Sequence, residues 1–161
     1  MEVQIRAGGS SDDVNALVRL HGEVYEGELG VDSSFAAEIA VQLAELRRGG
    51  WPGSSGGLWV AELEGRPVGT VTLYDVGRGT GRLGHLVLTA EARGSGAGRR
   101  LVEQVIEAAR AAGYQRLELA TFSELTAARK LYRSVGFVMV ESAHELRWGR
   151  EMEWQRYELE L

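Results

Sequence analysis

The stretch of sequence that decides the fold is Leu83–Leu101, which reads LGHLVLTAEARGSGAGRRL. It begins with an apolar run of strand length, Leu83–Thr89, and continues into a turn of small residues, Arg93–Gly98. Arg99 and Arg100 then open a helix whose apolar residues recur at three- and four-residue steps. A glycine-rich turn between a strand and a helix offers backbone N–H groups and the positive end of the helix dipole. The stretch therefore predicts a site for a phosphate.

The spacing of the glycines narrows the choice of phosphate ligand. Gly94, Gly96 and Gly98 do not follow the G-x-G-x-x-G pattern of a dinucleotide-binding fold. No G-K-[ST] follows, as a P-loop would require. Because such a turn can also be a plain tight connection, the rest of the chain must decide.

The composition indicates a single ordinary globular domain over residues 1–161, with 44% hydrophobic and 25% charged residues. The chain has no cysteine, and its three histidines lack ligand spacing, so we expect neither disulfides nor a metal site. A net charge of −5 without a basic face argues against nucleic acid as a partner. The lack of a membrane-length apolar stretch and of a signal-peptide core predicts a cytoplasmic protein with no membrane partner.

The hydrophobic pattern predicts two early helices, an antiparallel meander, a crossover helix, and a further strand–helix–strand. A strand–helix–strand unit implies one parallel pair of strands. The polar segment Ser142–Arg156 would connect the last two strands. The predicted elements are a strand at Val3–Ile5, helices starting at Ser10–Asp13 and Asp32–Ser34, strands at Leu58–Leu63, Val68–Val76 and Leu83–Thr89, a helix from Gly98 to Gly113, a strand at Leu117–Thr121, a helix from Leu125 to Val135, and strands at Phe137–Glu141 and Tyr157–Leu161.

Two motifs mark the second half of the chain. Arg93–Gly98 has the pattern R/Q-x-x-G-x-G/A directly after the strand residues Leu86–Leu88, and Leu131–Phe137 has the pattern L-Y-x-x-x-G-F. With these motifs the chain resembles the GNAT family, whose members transfer acetyl from acetyl-CoA to an amine. The resemblance extends over the whole chain and implies an α/β (α+β) fold of GNAT type. That fold is a mixed, mostly antiparallel sheet of about six or seven strands with a splayed central parallel pair, flanked by about four helices.

A narrower resemblance rests on two segments. Thr121–Arg129 and the pattern from His21 to Phe35 are similar to acetyltransferase domains fused to MarR-type regulators. The regulator is absent from this sequence, so we expect a free-standing enzyme.

The family resemblance implies that acetyl-CoA is the co-substrate and that no metal takes part. Pantetheine would lie along the backbone of the strand, in a wedge opened towards the parallel neighbour, and the pyrophosphate would lie on the N–H groups of the turn. The side chains of Leu86 and Leu88 are expected in the core. The implied cofactor-binding residues are Leu86, Val87, Leu88, Arg93, Gly94, Ser95, Gly96, Ala97, Gly98 and Arg99.

Amine acetylation needs a route for the amine proton, a polarised carbonyl and a protonated thiolate leaving group. The resemblance implies that the N–H of Leu88 polarises the carbonyl and that Tyr132 is the general acid. A phenol with an ordinary pKa near 10 keeps its proton at neutral pH, as this role requires. The alternative is that Tyr132 only packs in the core.

The general base stays open at this point. The strand position at which some family members carry a glutamate is Ala120 here. Glu118 lies on the same face of that strand, because strand side chains alternate. His85 and Glu62 are alternatives, and so is a chain of water molecules without a dedicated base. The pantetheine-contacting asparagine of many members is replaced by Leu125.

The amine acceptor is expected on the side of the first helices and the late strand connection. Carboxylates beside aromatic residues there would suit a cationic primary amine of a small molecule or peptide, unless they are only surface and core residues. Two other functions stay open, a CoA-binding regulatory or interaction module without turnover and an acyltransferase using a longer acyl-CoA. Family members are often dimers, and the last strand could pair across chains, so a homodimer stays open and the sequence does not fix the oligomeric state. The acceptor-side residues are Glu23, Glu26, Glu28, Asp32, Tyr25, Trp51 and Trp148.

Overall fold

The computed structural model describes residues 2–161. Over these residues the chain forms seven β-strands and four α-helices. They are β1 (Gln4–Gly8), α1 (Ser11–Leu29), α2 (Ser34–Arg48), β2 (Gly57–Leu63), β3 (Arg66–Gly77), β4 (Thr80–Leu88), α3 (Ala97–Ala111), β5 (Arg116–Phe122), α4 (Thr126–Ser134), β6 (Val138–Arg147) and β7 (Arg150–Glu160).

The strands form one sheet in the order β1-β2-β3-β4-β5-β7-β6. Only the pair β4–β5 is parallel among the described strands, and α3 provides the crossover between them. Every other neighbouring pair is antiparallel. The predicted fold class is therefore confirmed.

The two faces of the sheet are covered by different helices. In β2, Leu58 and Val60 pack into a cluster with residues of α1 and α2, whereas Ala61 and Leu63 pack into the cluster that contains α3. Alternating side chains point to opposite faces of a strand, so α1 and α2 lie on one face and α3 lies on the other. The buried stripe of α3 is Leu101, Val102, Val105, Ile106 and Ala109.

The start of α1 is fixed by the polar cluster that the sequence indicates. Ser10 is the N-cap, and its hydroxyl accepts a hydrogen bond from the Asp13 N–H at 3.1 Å. The Asp13 carboxylate accepts in turn from the Arg6 guanidinium on β1 at 2.7 Å. These contacts attach the N-terminus of α1 to β1 at the edge of the sheet.

The parallel pair is short and then splays. β4 and β5 pair only at Thr80–Arg116, Gly81–Leu117 and Arg82–Glu118. Just beyond this point β4 has a bulge, since Thr72 pairs with Gly84 but Thr70 pairs with Val87. His85 lies in the bulge with a φ of 50°, and its carbonyl accepts from the Thr70 hydroxyl at 2.9 Å. The bulge bends β4 away from β5 and leaves the expected wedge between them.

The C-terminal part differs from the sequence-based expectation. Ser142–Arg156 was predicted as a polar connection, but it forms most of a β-hairpin, β6 and β7, that turns at Trp148 and Gly149. All but the last residue of β6 are exposed, so this edge strand has no buried face and lacks the alternation by which a strand is recognised.

The last strand, β7, has no free edge at which a second copy could pair. β7 lies between β5 and β6, so both of its edges are already paired. The free edges of the described sheet belong to β1 and β6, and β6 exposes Val138, Met139 and Val140. A homodimer stays a prediction. None of the helices within residues 2–161 has both the length and the apolar character to cross a membrane.

Candidate active site

Two cavities open at the wedge between β4 and β5. The first, of about 450 Å³, lies between α1, α2 and the splayed strands, and we call it the aromatic cavity. The second, of about 420 Å³, lies along the end of β4, the glycine-rich turn and α4, and we call it the glycine-turn cavity. Tyr25, Leu86, Leu125 and Ala128 line both cavities. The two spaces therefore meet at the unpaired part of β4.

The glycines of the turn serve two different purposes. Gly94 and Gly96 have φ values of 76° and 85°, and a Cβ on either would meet no atom within 4 Å. These two are needed for backbone conformation, and the space above them is open. A Cβ on Gly98 would lie 3.0 Å from Leu88 Cδ1, so this glycine lets α3 approach β4 closely.

The first turn of α3 presents free hydrogen-bond donors. Gly96 is the N-cap, and the Ala97 N–H donates to the Ser95 hydroxyl at 3.3 Å. Within residues 2–161 the N–H groups of Gly98 and Arg99 have no protein acceptor. Both residues line the glycine-turn cavity. This combination of free N–H groups and helix dipole is suited to an anion.

The three arginines near the turn point in different directions. Arg93 pairs with Glu28 of α1 at 2.8 Å and donates to the Leu88 carbonyl at 2.9 Å. Arg99 donates to the Ser134 hydroxyl at 3.1 Å and also lines the glycine-turn cavity. Arg100 donates to the Val3 carbonyl at 2.7 Å, on the side of β1. Arg93 and Arg99 therefore lie at the cavity, whereas Arg100 does not.

The free edge of β4 faces the wedge with its backbone. The Thr89 N–H donates to the Val68 carbonyl on the side of β3. Because successive N–H groups of an extended strand point to opposite edges, the N–H of Leu88 points to the wedge. The sequence-predicted residues Leu86, Val87 and Leu88 all line the glycine-turn cavity.

Tyr132 lies on α4 at the wall of the aromatic cavity, with 4% of its surface exposed. Its ring meets Phe137 edge-on, with ring centroids 5.9 Å apart. Its hydroxyl has no hydrogen-bond partner within residues 2–161. The hydroxyl keeps some accessible surface, because Thr89 Oγ1 is the only side-chain N or O atom of the described chain that is both fully buried and without a partner. Burial, with a smaller contribution from Tyr25, raises the pKa of Tyr132 well above 10. The phenol thus keeps its proton and has it free to donate.

His85 lies in the same wall, but both nitrogens of its ring are engaged. Nε2 donates to Gln42 Oε1 at 2.9 Å, and Nδ1 accepts from the Thr72 hydroxyl at 2.7 Å. The Gln42 amide also donates to the Tyr74 hydroxyl at 3.1 Å. Burial lowers the pKa of His85 to about 3, and nearby His21 and Arg82 add to this effect. This placement favours a structural role in holding the bulge.

Glu118 and Glu62 line neither of the two cavities. Glu118 is the register partner of Arg82, whose Nε donates to it at 3.0 Å, and Arg156 lies 3.7 Å away. Glu62 pairs with Arg6 at 3.2 Å. Both carboxylates are therefore occupied by arginines, which favours ion-pair roles over proton transfer. Ala120, two positions beyond Glu118, does line the aromatic cavity.

The residues predicted for the acceptor side lie at different places in the structure. Tyr25 and Trp148 line the aromatic cavity, whereas the four predicted carboxylates do not, and Glu28 lines the other cavity. Glu38 and Glu45 of α2 lie there instead, and Glu38 accepts from the Trp148 indole at 2.7 Å. The aromatic rings of this wall are His21, Tyr25, Phe35, Tyr74, His85, Phe122, Tyr132, Trp148 and Trp154.

Sequence reasoning missed the α2 side of this cavity. Glu38, Gln42 and Glu45 are spaced three and four residues apart, so they share one face of a helix. That spacing was a usable signal. What it could not show is that this face turns towards β4 and the wedge.

Comparison with known proteins identifies the family. The model of the acetyltransferase (GNAT) family matches residues 19–137, and the chain belongs to this family. Human N-acetyltransferase 8B is 37% identical over 97 residues, which are 57% of this chain and 43% of that protein. The chain thus spans less than half the length of the curated relatives it matches.

Solved structures share the fold over nearly the whole chain. Ribosomal-protein-alanine N-acetyltransferase from Brucella melitensis has a TM-score of 0.77 at 24% identity, covering 98% of this chain and 99% of its own. The putative acetyltransferase yncA from Salmonella typhimurium, solved with its cofactor acetyl-CoA, has a TM-score of 0.79 at 19% identity, covering 100% and 95%. These likenesses show the fold. The narrower resemblance to domains fused to MarR-type regulators stays a prediction.

Proposed function

We propose that residues 1–161 form a single N-acetyltransferase domain that transfers acetyl from acetyl-CoA to a primary amine. The observation that carries this proposal is the meeting of two cavities at the free edge of β4, beside a buried tyrosine with an unpartnered hydroxyl. One cavity has the donors for a diphosphate, and the other has room for an acceptor. Family membership supports acyl transfer as the chemistry.

We expect acetyl-CoA to bind along the glycine-turn cavity. Its pyrophosphate would accept from the N–H groups of Gly98 and Arg99, with the dipole of α3 favouring its charge. Its pantetheine amides would pair with the free backbone edge at Leu86–Leu88. The acetyl thioester would then reach the junction of the two cavities. The Salmonella neighbour, solved with acetyl-CoA, supports this choice of cofactor.

The chemistry proposed is direct attack of the amine on the thioester. The amine nitrogen forms a bond to the carbonyl carbon, and the N–H of Leu88 stabilises the negative charge that develops on the carbonyl oxygen. Collapse of this intermediate restores the carbonyl and breaks the C–S bond. The Tyr132 hydroxyl protonates the departing thiolate, a step suited to a phenol that burial keeps protonated.

The acceptor proposed is a primary amine carried on an apolar or aromatic body. The aromatic rings of the cavity offer stacking and apolar contact to such a body. Glu38 and Glu45 at the α2 side offer negative charge to an ammonium group before it loses its proton. A small molecule or the end of a peptide meets these requirements.

The test combines binding and turnover. Isothermal titration with acetyl-CoA is expected to give a saturable site, and a free-thiol release assay over a panel of amines is expected to find an acceptor. No binding of acetyl-CoA or CoA at millimolar concentration would overturn the proposal. Tight CoA binding without thiol release from any amine would indicate a CoA-binding module instead, and faster release from a longer acyl-CoA would change the donor.

A further inference from the structure

His21 lies in the wall of the aromatic cavity and has no part in the steps described so far. It is on α1, one helical turn before Tyr25, and its ring stacks on that tyrosine with centroids 5.8 Å apart. It meets the ring of His85 edge-on at 5.9 Å. Only 2% of His21 is exposed. A buried histidine in the wall of this cavity is a candidate for a role in the reaction.

The hydrogen bonding of His21 fixes which nitrogen carries the proton. Nδ1 lies 2.8 Å from the carbonyl oxygen of Leu17. A carbonyl oxygen can only accept, so Nδ1 bears the hydrogen and Nε2 carries the lone pair. Within the described chain no protein group donates a hydrogen bond to Nε2. Nε2 is also not one of the fully buried side-chain atoms that lack a partner. The basic nitrogen therefore keeps a small accessible surface on a ring that lines the cavity, and it has no protein partner, in contrast with the engaged ring of His85.

The surroundings keep this imidazole neutral. Burial lowers the pKa of His21 to about 4, and the Leu17 carbonyl opposes that shift only in part. The titratable neighbours packed against the ring are Tyr25 on α1 and His85 on β4, and Phe35 covers it from α2. None of these groups brings a negative charge that would favour the imidazolium. At neutral pH the lone pair of Nε2 is thus available to a proton.

We propose that His21 is the general base of the acetyl transfer, an inference that rests on the proposed function. As the amine nitrogen forms its bond to the thioester carbon, its surplus N–H proton passes to Nε2 of His21. The C–S bond then breaks, and the thiolate takes the proton of Tyr132. Return of the proton from His21 to Tyr132 through the cavity water restores both groups. The net transfer moves one proton from the amine to the thiol.

The kinetic test compares His21→Gln with His144→Gln, a matched change of an exposed histidine on β6 outside both cavities. Acetyl-CoA is held at saturation, and the acceptor is the best amine of the panel, beginning with 2-phenylethylamine. We expect kcat of His21→Gln to fall about 100-fold, with acetyl-CoA affinity within twofold of wild type. His144→Gln is expected to keep the wild-type kcat. A folded His21→Gln variant with wild-type kcat overturns the inference.

A second measurement does not depend on the variant folding or on a known acceptor. Nitrogen-15 NMR of the histidines in the wild-type protein is expected to show His21 as the neutral tautomer with the hydrogen on Nδ1, from pH 8 down to about pH 5. A hydrogen on Nε2 overturns the inference. Failure of the acetyltransferase function can be distinguished from failure of the His21 role. A wild-type protein that does not bind acetyl-CoA overturns the proposed function. Normal wild-type turnover with an unaffected His21→Gln overturns only the role of His21.

Discussion

At the scale of single residues, the hydroxyl of Tyr132, like that of Tyr25, has no hydrogen-bond partner within residues 2–161, whereas the other three tyrosine hydroxyls have one. The hydroxyls of Tyr74 and Tyr157 are hydrogen-bonded to Gln42 and Gln155, and the Tyr114 hydroxyl is bonded to the Ser55 carbonyl. Most side-chain hydroxyls inside proteins are hydrogen-bonded to other protein groups. A phenol without a protein partner in the wall of the aromatic cavity is consistent with a group kept for chemistry.

The first prediction concerns this hydroxyl. Tyr132→Phe removes the proton donor but keeps the ring that packs on Phe137. We expect kcat to fall about 100-fold, since general acid catalysis contributes factors of this size, while acetyl-CoA affinity stays within twofold. Steady-state thiol release and isothermal titration measure the two effects.

The matched control is Tyr114→Phe, which removes a hydroxyl outside both cavities. It is expected to leave kcat unchanged. If Tyr132→Phe and Tyr114→Phe had the same kcat as wild type, the thiolate would be protonated by another group.

The second prediction links the two buried histidines to pH. Their pKa values are about 4 and about 3 in the folded protein, against 6.5 for an ordinary histidine. The unfolded chain therefore binds protons that the folded protein does not. Folding stability is fully present above pH 6.5 and falls as the pH drops from 6.5 towards 4, with a slope of about 1.4 kcal/mol per pH unit for each histidine.

Urea unfolding between pH 7 and pH 5 measures this slope. His85→Gln is expected to make it shallower, because one of the two groups no longer titrates. His144→Gln is expected to keep the wild-type slope, since this histidine is exposed. An equal slope in His85→Gln and wild type would show that folding does not lower the pKa of His85.

At the scale of the elements, the glycine-rich turn and the bulge of β4 do most to shape the site. The turn frees the N–H groups at the start of α3, and the bulge ends the pairing with β5. The bulge begins at Gly84, at the start of the unpaired segment Gly84–Leu88 of β4, and the glycine-rich turn follows the end of that segment. An extended cofactor can therefore run along this segment from the turn to the wedge.

The third prediction separates ligand binding at the turn from backbone strain. Gly96→Asp places a Cβ on a backbone with a φ of 85° and a carboxylate at the N-terminus of α3, where a phosphate would lie. We expect acetyl-CoA affinity to fall at least 100-fold. Gly113 gives a matched control, because its φ is 84°, it follows the opposite end of α3, and it also has open space around it.

Gly113→Asp carries the same new charge and a similar conformational cost of about 1–2 kcal/mol. It is expected to lower thermal stability at least as much as Gly96→Asp does, because its carboxylate lies at the negative end of the α3 dipole, but to bind acetyl-CoA normally in isothermal titration. Normal binding by Gly96→Asp would show that the phosphate site is elsewhere. Equal loss of binding in both variants would mean that strain, and not the phosphate site, is responsible.

The sequence predicts elements well where a pattern is local. The cap at Ser10, the stripe of α3 and the glycine turn all follow from neighbouring residues, and each lies where it was expected. The hairpin of β6 and β7 was predicted too short because an exposed edge strand has no alternating pattern. The bulge at His85 was not predicted either, since it depends on contacts with Thr70 and Thr72 of another strand.

The candidate site shows the same division. Two contiguous motifs contain Gly96 and Tyr132, so both residues could be named from the sequence. The aromatic cavity is built mostly by side chains from α1, α2, β4, β5 and the hairpin, which no local pattern brings together. For this reason the sequence points to Glu118, which is paired with Arg82, as a candidate base, and it does not point to His21.

At the scale of the whole molecule, the splayed sheet has two cavities that meet at the unpaired part of β4. The cofactor would enter along the glycine-turn cavity and the amine through the aromatic cavity, with Tyr25, Leu86, Leu125 and Ala128 shared between them. Since neither path crosses the other, both substrates can be bound together. A covalent acetyl-enzyme intermediate would need a nucleophile at the junction, and the chain has no cysteine. The shared residues offer only the phenol of Tyr25, which burial keeps protonated by raising its pKa to about 12.

The last prediction follows from this arrangement. Initial rates measured at several fixed acetyl-CoA concentrations, while the amine is varied, are expected to give double-reciprocal lines that intersect, as a ternary complex requires. Parallel lines would indicate that acetyl is first transferred to the protein and CoA leaves before the amine binds. Incubation with radiolabelled acetyl-CoA in the absence of amine gives an independent check, because the direct-attack route predicts no acid-stable label on the protein. Label that appears on the protein and is then lost when amine is added would contradict that route, and its position would identify the nucleophile.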